Sequence, residues 1–363
     1  MHARSLFGRS LAMVSLVVLA GATLAQQAAP PKVAIEPDGT VHMPAQSVPV
    51  SAFLSAEGKA YLTEHLRNLQ RPEMLVQDNG VPRLIAGYRT RQRELFAVER
   101  AETTIGGVHA YVYTPREGIA AKNRDRVLIE LHGGGFRECW PACAELESLP
   151  IAALGRIKVV SLDYRQGPEH RHPAASEDVA AAYRDLLKSY RAENIGVYGC
   201  SAGGMLAGMS IAWFQRHGLP RPGAVGILCA GAANVEGNAF AGDASFTTLP
   251  LGEGRVLPPS VAGNPVQMEY FAGTNPSDPL VAPASSPDVL AKFPPTLIVT
   301  GTRSFDLSNA VYTHAQLVKN GVDADLHVWE GMFHGFFYNP DVPESRECYD
   351  VIVRFFAARL GTR

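Results

Sequence analysis

The 363-residue chain lacks the charge clusters and short motifs by which several protein classes are recognised. It has 33 lysines and arginines against 35 aspartates and glutamates, and neither sign forms a long block. This balance argues against a nucleic-acid partner and against an acidic disordered tail. A P-loop, a G-x-G-x-x-G after the first predicted strand and an H-E-x-x-H are also absent. We therefore expect no nucleotide cofactor and no bound metal.

Apolar runs long enough to cross a membrane are missing as well. The run from Leu11 to Leu19 follows a basic segment and precedes small residues, Ala20 to Ala25. A membrane span needs about twenty apolar residues, whereas this order is typical of a secretory signal peptide. We predict that residues 1–25 are a signal peptide, with cleavage after Ala22 or an uncleaved anchor as alternatives. The protein is then exported, to the periplasm or the medium, without stable membrane insertion.

Cysteine is scarce, and the odd count of five leaves at least one free thiol. Cys139 and Cys143 lie four residues apart, and an exported protein folds where disulfides persist. They are the candidate disulfide. Cys200 and Cys229 are predicted to be small buried residues. No second cysteine pair completes a metal-binding pattern.

The most informative motif that is present is Gly199-Cys200-Ser201-Ala202-Gly203, a G-x-S-x-G pentapeptide. It follows the apolar run Ile195 to Tyr198 and precedes a small-residue stretch compatible with a helix. Such a strand, turn and helix lift the serine hydroxyl clear of the sheet and direct a helix N-terminus toward it. The pattern predicts Ser201 as a nucleophile, although a glycine-rich strand-to-helix turn also occurs in other α/β proteins.

Two further motifs flank this serine in the sequence. The apolar segment Val127 to Leu131 leads into His132-Gly133-Gly134-Gly135-Phe136, where backbone N–H groups can face an oxyanion because no side chain blocks them. A phosphate-binding loop is the alternative, but it would continue into Lys-Ser or Lys-Thr, which is absent here. Near the C-terminus, His334 follows the apolar segment Leu326 to Trp329 and is a candidate general base.

In this order the motifs resemble those of the bacterial hormone-sensitive-lipase-like esterases of the α/β-hydrolase superfamily. The matching segments are His132 to Gly135, Gly199 to Gly204, Asp163 to Asp178 and His334 to Phe336. The resemblance extends from about Val127 to the C-terminus. It implies an α/β-hydrolase fold and ester hydrolysis, with Ser201 as nucleophile and His334 as base. It does not identify the substrate.

The same resemblance indicates which residues assist the nucleophile and the base. We expect the oxyanion to be bound by the backbone N–H groups of Gly134, Gly135 and Ala202, with Gly133 setting the turn of this oxyanion hole. The charged residues of the third segment are expected to be structural; they are Asp163, Arg165, Glu169 and Asp178.

The sequence departs from the family pattern at two places. Cys200 replaces the usual aspartate before the nucleophile. The family register for the acid that orients the histidine falls on Ser304, whereas Asp306, two residues later, is the carboxylate in that loop. We predict Asp306 as the acid, with Asp278 as the weaker alternative. A helix N-cap is the other interpretation of Asp306.

Alternating strand and helix patterns predict a mostly parallel sheet with helices on both faces. The predicted elements include helices over Ala175–Arg191 and Met205–Gln215 and a strand over Ala324–Trp329. Residues 26–49 are predicted to be a linker, 50–93 an N-terminal cap with a helix from Ser55 to Leu69, and 94–363 the catalytic domain. An antiparallel hairpin is expected at the start of that domain. The irregular segment from Val235 to Asp278 is expected to form a wall of the substrate pocket.

The reaction predicted for the chain is hydrolysis of short-acyl esters, because no extended apolar lid helix is evident. The expected partner is therefore a small-molecule ester. The alternatives are a non-catalytic ligand-binding protein on the same fold and a peptidase or acyltransferase of the same superfamily. The sequence gives no oligomeric state.

Overall fold

The computed structural model describes residues 33–78, 81–234, 241–254 and 268–361. The chain divides into two units, Met1–Val48 and Pro49–Arg363. In the first unit, β1 (Ala34–Ile35) and β2 (Val41–His42) form an antiparallel hairpin inside the segment predicted to be a linker. The predicted signal peptide, residues 1–25, lies outside the described residues.

The second unit contains an eight-stranded sheet and a small separate hairpin. The hairpin pairs β3 (Gln77–Asp78) with β4 (Val81–Pro82). The sheet strands run in the order β12-β11-β10-β9-β7-β8-β6-β5. They are β5 Val98–Ile105, β6 Val108–Pro115, β7 Val127–Leu131, β8 Lys158–Leu162, β9 Ile195–Cys200, β10 Ala224–Leu228, β11 Thr296–Gly301 and β12 Ala324–Trp329.

The sheet is parallel from β12 to β8 and ends in an antiparallel hairpin. Strands β7 to β12 pair in parallel, whereas β6 runs antiparallel to both β8 and β5. This confirms the predicted α/β-hydrolase fold, including the hairpin at one edge. Ten helices are assigned within the described ranges: α1 Ala56–Leu69, α2 Arg83–Leu95, α3 Ala142–Gly155, α4 Ala174–Leu186, α5 Ala202–Arg216, α6 Ala244–Thr247, α7 Leu249–Glu253, α8 Pro287–Leu290, α9 Leu307–Lys319 and α10 Pro343–Arg359.

Alternate residues of each central strand feed two separate apolar cores. In β7, Val127 and Ile129 belong to the core that includes α4 and α5, whereas Leu128 belongs to the core that includes α3 and α10. All three are at most 1% exposed. Successive side chains of a strand point to opposite faces. Helices therefore cover both faces, which explains why these strands read as continuous apolar runs.

Parallel strands end at one edge of the sheet, and the chain segments with the predicted motifs follow those ends. The glycine loop follows β7, Ser201 follows β9, and the loop that carries Asp306 follows β11. His334 lies in the turn after β12. In open α/β sheets, ligands bind outside the carboxyl ends of the strands. The fold thus gathers the predicted catalytic residues on one edge.

The helices differ from the predicted ones mainly at their ends. The helix expected over 175–191 ends at Leu186 and is followed by turns, and α5 begins at Ala202 instead of at Met205. The segment 235–278 contains the short helices α6 and α7. Residues 235–240 and 255–267 of that segment lie outside the described residues. Its role as a pocket wall therefore remains a prediction.

Within the described ranges, every helix is either too short or insufficiently apolar to traverse a membrane.

Candidate active site

Ser201 adopts the strained backbone conformation of a tight turn between β9 and α5. Its φ is 58° and its ψ is −121°, and its N–H donates to the carbonyl of Leu228 at 2.8 Å. The flanking glycines are required by close packing. A Cβ on Gly203 would lie 1.7 Å from the carbonyl oxygen of Leu131, and one on Gly199 would lie 2.3 Å from it. The helix can therefore begin directly against β7 only if both positions lack side chains.

His334 is paired with the carboxylate of Asp306. Its Nδ1 lies 2.8 Å from Asp306 Oδ1, and the aspartate side chain is fully buried. An ionised carboxylate only accepts hydrogen bonds, so Nδ1 carries the proton and Nε2 is left as the basic nitrogen. Two hydroxyls, from Thr300 and Ser304, also donate to this carboxylate.

Asp306 lies at the N-cap position of α9, but its side chain makes no capping hydrogen bond. The alternative interpretation of this residue as a helix cap therefore fails on geometry. Asp278, the weaker candidate for the acid, accepts a hydrogen bond from the N–H of Leu280 in its own turn. Ser304, on which the family register falls, donates to Asp306. Of the three, Asp306 is the one hydrogen-bonded to His334.

The pKa of His334 reflects two opposing effects. Burial lowers it, but the hydrogen bond and charge of Asp306 outweigh burial and raise the pKa to about 9. Phe305 stacks on the imidazole, with ring centroids 4.3 Å apart. The ring is thus fixed in orientation on two sides, by the carboxylate and by an aromatic face.

The glycine loop after β7 presents backbone N–H groups near Ser201. Gly134 has φ 118° and Gly135 has φ 65°, conformations that favour glycine. Among the described residues, no acceptor bonds the N–H of Gly134, Gly135 or Ala202. Gly133 differs, because its N–H donates to Glu147 Oε1 at 3.1 Å. Of the four residues predicted to form the oxyanion hole, Gly134, Gly135 and Ala202 therefore have a free N–H group. Gly133 has a different role.

Cys229, predicted only to be a small buried residue, lies against the histidine. It follows β10 with φ 49°, and its Sγ accepts the N–H of Gly335 at 3.4 Å. Cys229, Asp306 and His334 are the one cluster of potential metal ligands in the described part of the chain, their ligand atoms lying within 4.8 Å of one another. The signal that the sequence offered was the position of Cys229, one residue after a parallel strand at the catalytic edge.

The five cysteines comprise one disulfide and three free thiols. Cys139 and Cys143 are joined by a disulfide, with Cα atoms 5.4 Å apart, just after the glycine loop. Helix α3 begins between them, at Ala142. Cys200, Cys229 and Cys348 are free and buried.

The Asp163 to Asp178 segment is hydrogen-bonded internally and to the start of the glycine loop. Arg165 donates through its backbone N–H and its Nε to Asp178, at 2.8 and 2.9 Å. Tyr164 donates its hydroxyl to the carbonyl of His132 at 2.7 Å. Asp163 is 2.9 Å from His109 Nδ1, and Glu169 is exposed.

The predicted cap region contains α1 and α2, and α1 packs against Phe333, the residue before His334. Its residue His65 stacks on Phe333 with ring centroids 3.7 Å apart, and Tyr61 lies 5.0 Å from the same ring. Burial lowers the pKa of His65 to about 4 and keeps it neutral. On the other side of the acid loop, Arg303 donates to the carbonyls of Pro49, at 2.7 Å, and Leu251, at 3.3 Å.

Comparison with known proteins agrees with this architecture. Residues 128–338 match the family of the alpha/beta hydrolase fold. An acetyl-hydrolase of Streptomyces hygroscopicus is 31% identical over 244 residues, which cover 66% of this chain and 78% of the relative.

Solved structures give the same relationship. Esterase E25 aligns with a TM-score of 0.73 and 27% identity, over 88% of this chain and 98% of its own. An esterase of the bacterial hormone-sensitive lipase family aligns with a TM-score of 0.71 and 26% identity, over 85% and 99%. This chain therefore belongs to the α/β-hydrolase fold family and, within it, to the esterases of the bacterial hormone-sensitive-lipase type.

Proposed function

We propose that the protein is a serine carboxylesterase that hydrolyses short-acyl esters through an acyl-enzyme intermediate. The observation that carries the proposal is the hydrogen bond between His334 and the buried Asp306, at the sheet edge where Ser201 follows β9. A histidine oriented by a carboxylate is the arrangement that makes a serine hydroxyl nucleophilic.

In the acylation step, Ser201 Oγ attacks the ester carbonyl carbon while His334 Nε2 accepts the hydroxyl proton. The carbonyl electron pair moves to the oxygen, and the N–H groups of Gly134, Gly135 and Ala202 stabilise that charge. Asp306 stabilises the imidazolium. The carbon–oxygen bond to the alcohol then breaks as the carbonyl re-forms, and His334 returns its proton to the departing alkoxide.

Deacylation repeats these steps with water. His334 removes a proton from a water molecule, which attacks the acyl carbon and regenerates the oxyanion. Collapse breaks the bond to Ser201 Oγ, which takes the proton from His334. The products are a carboxylic acid and the free enzyme.

A preference for short acyl groups is supported by two observations. The described part of the segment after β10 forms helices of four and five residues, α6 and α7, instead of a long apolar lid. The similar protein from Streptomyces hygroscopicus is named an acetyl-hydrolase. Acetyl and butyryl esters are therefore the proposed substrate class.

The test is hydrolysis of nitrophenyl esters of graded acyl length by the purified protein and by Ser201→Ala. We expect the acetyl and butyryl esters to be cleaved fastest. Ser201→Ala should lose about three or more orders of magnitude in kcat while remaining folded. A fluorophosphonate should label Ser201, as located by mass spectrometry.

Three results would contradict the proposal. Activity of Ser201→Ala within about tenfold of wild type would exclude this nucleophile. Rapid cleavage of long-chain triglyceride would oppose the chain-length preference. Efficient cleavage of matched amides, or transfer of the acyl group to an added alcohol in place of hydrolysis, would assign a peptidase or an acyltransferase.

A further inference from the structure

Glu147 places a buried carboxylate between the glycine loop and the histidine loop. It lies on α3 and is 1% exposed. Its Oε1 accepts the N–H of Gly133 at 3.1 Å and the hydroxyl of Tyr338 at 2.7 Å. Tyr338 is four residues beyond His334 in the chain. A single oxygen atom therefore joins two loops that carry catalytic groups.

The strand that delivers the nucleophile contacts the same residue. Tyr198 of β9 donates its hydroxyl to the backbone carbonyl of Glu147 at 2.9 Å. A Cβ on Gly133 would lie 3.2 Å from the carbonyl oxygen of Cys200, 3.3 Å from Glu147 Oε1 and 3.5 Å from Ser201 Cβ. Gly133 is thus held in a narrow space whose walls are the nucleophile strand and the glutamate.

The electrostatic setting of Glu147 is unusual for a structural glutamate. Burial raises its pKa to about 7, against the hydrogen bonds from Glu130, Tyr338 and Gly133. Burial and repulsion from Glu147 also raise the pKa of Glu130, a fully buried residue on β7. Two carboxyl groups close together in the interior do not both ionise. Because Oε1 of Glu147 accepts hydrogen bonds from both Gly133 and Tyr338, we assign the negative charge to Glu147 and the neutral form to Glu130.

No cation compensates this charge. Among the described residues, neither Glu147 nor Glu130 forms an ion pair, whereas Glu145 on the same helix pairs with Arg89 and Arg93. A buried carboxylate without a cation costs stability. That cost is consistent with a role in activity, because two apolar side chains would serve packing better.

We propose that Glu147 is a positioning residue for ester hydrolysis, which holds Gly133 so that the next two backbone N–H groups face the oxyanion formed at Ser201. The inference rests on the proposed function. By occupying the N–H of Gly133, the carboxylate leaves those of Gly134 and Gly135 as the donors. An anionic acceptor binds an N–H more strongly than a neutral one, so the loop is fixed before substrate arrives.

Such a residue should affect the transition state more than the binding of the ester. Removing one oxyanion donor costs about 10²–10³ in kcat in a serine protease. Loosening two donors without deleting them should cost less. We expect Glu147→Leu to lower kcat by about 30-fold with KM changed by less than about threefold.

The experiment compares three variants with 4-nitrophenyl acetate as substrate and a phenyl trifluoromethyl ketone as inhibitor. The ketone forms a hemiketal at the serine whose oxygen occupies the oxyanion hole, and its affinity should fall in parallel with kcat. Glu147→Gln keeps a neutral acceptor and should lose about three- to tenfold in both quantities. Ser148→Ala is the matched control, because it deletes a buried hydrogen bond of the same helix, to Ser161 at 2.7 Å. It should retain wild-type kinetics.

Several outcomes separate this inference from the proposed function. Wild-type kcat and ketone affinity in folded Glu147→Leu would overturn the inference. Should that variant fail to fold, unchanged kcat and ketone affinity in Glu147→Gln would overturn it instead. A loss confined to KM would do so too. An active Ser201→Ala would refute the proposed function itself, and an inactive one leaves the inference to be judged on the glutamate variants alone.

Discussion

At the scale of single residues, Asp306 is the side chain whose replacement discriminates best. Its carboxylate accepts hydrogen bonds from His334, Thr300 and Ser304. In Asp306→Asn, the amide NH₂ group replaces a carboxylate oxygen that accepted these hydrogen bonds. It favours the histidine tautomer that carries its proton on Nε2. We expect kcat/KM for 4-nitrophenyl acetate to fall by about 10³–10⁴ near neutral pH.

Ser304→Ala is the control for this change. It removes one hydroxyl from the same carboxylate but leaves the hydrogen bond to His334 in place. Its kcat/KM should stay within about tenfold of wild type. A larger loss in Ser304→Ala than in Asp306→Asn would show that the triad acid is wrongly assigned.

The protonation of His334 predicts the pH dependence. The base must be neutral to accept the proton of Ser201, so kcat/KM should rise with pH through the pKa of His334, about 9. Asp306 holds that pKa up, and in Asp306→Asn the rise should move to lower pH while the maximum rate falls. A pH–rate profile of both proteins measures this. A rise at the same pH in the two would contradict the electrostatic role of Asp306.

Residue-level prediction from the sequence was possible where a motif is local. The G-x-S-x-G and glycine-loop motifs each occupy consecutive positions, so their role could be inferred from the residues alone. Glu147 was not predicted. Its partners Gly133 and Tyr338 lie 14 and 191 positions away, and nothing in the neighbouring residues distinguishes it from the ion-paired Glu145.

At the scale of elements, the junction of β9 and α5 depends on the absence of one side chain. A methyl group on Gly203 would meet the carbonyl oxygen of Leu131. We expect Gly203→Ala to lower the free energy of unfolding by about 3 kcal/mol, through overpacking at the strand–helix contact. Urea denaturation measures the change.

Gly87→Ala provides the matched glycine replacement. Gly87 lies inside α2, and a Cβ there would have no atom within 4 Å. Alanine should raise the free energy of unfolding by about 0.5–1 kcal/mol, because it reduces the freedom of the unfolded chain. Equal destabilisation by the two replacements would exclude the close approach at Gly203.

The central strands were predictable and some helix ends were not. The mostly apolar run Val127–Leu131 matches an observed strand, because burial on both faces leaves few polar positions in a central strand. Ala324–Trp329 also matches, although this edge strand is only partly buried and includes Asp325 and His327. The helix after Pro173 ends at Leu186 instead of Arg191, where the chain turns toward β9. No glycine or proline marks that end in the sequence.

At the scale of the whole molecule, the disulfide concerns the cellular compartment in which the protein folds. We propose that it is exported, as the predicted signal peptide and the bond between Cys139 and Cys143 suggest. Mass spectrometry of protein recovered from the periplasm or medium should find these two cysteines linked and Cys200, Cys229 and Cys348 free. Recovery of the full-length chain from the cytoplasm with five reduced thiols would contradict the proposal.

Replacing both linked cysteines by serine should cost a modest amount of stability. The closed loop is short, so the entropy model gives about 2 kcal/mol. Thermal denaturation under non-reducing conditions would measure it. Equal stability of this variant and wild type would show that the bond contributes nothing to the folded state.

Long-range connections were beyond sequence reasoning at this scale. Ser55, which caps α1, also donates through its N–H and hydroxyl to Glu344 at 2.7 and 2.8 Å, 289 positions away. Both residues have ordinary local roles, as an N-cap and as an acidic residue in a first turn. Only the folded chain reveals that the start of α1 is hydrogen-bonded to α10.

The hydrogen bond between Arg303 and the Pro49 carbonyl limits how far the chain can be truncated from its N-terminus. Arg303 belongs to the loop that ends in Asp306, and its guanidinium group donates to the Pro49 carbonyl. A truncation that ends before Pro49 keeps this hydrogen bond. A deletion that removes Pro49 takes away one of the two carbonyls that hold Arg303, three residues from Asp306, so we expect turnover to fall before solubility does.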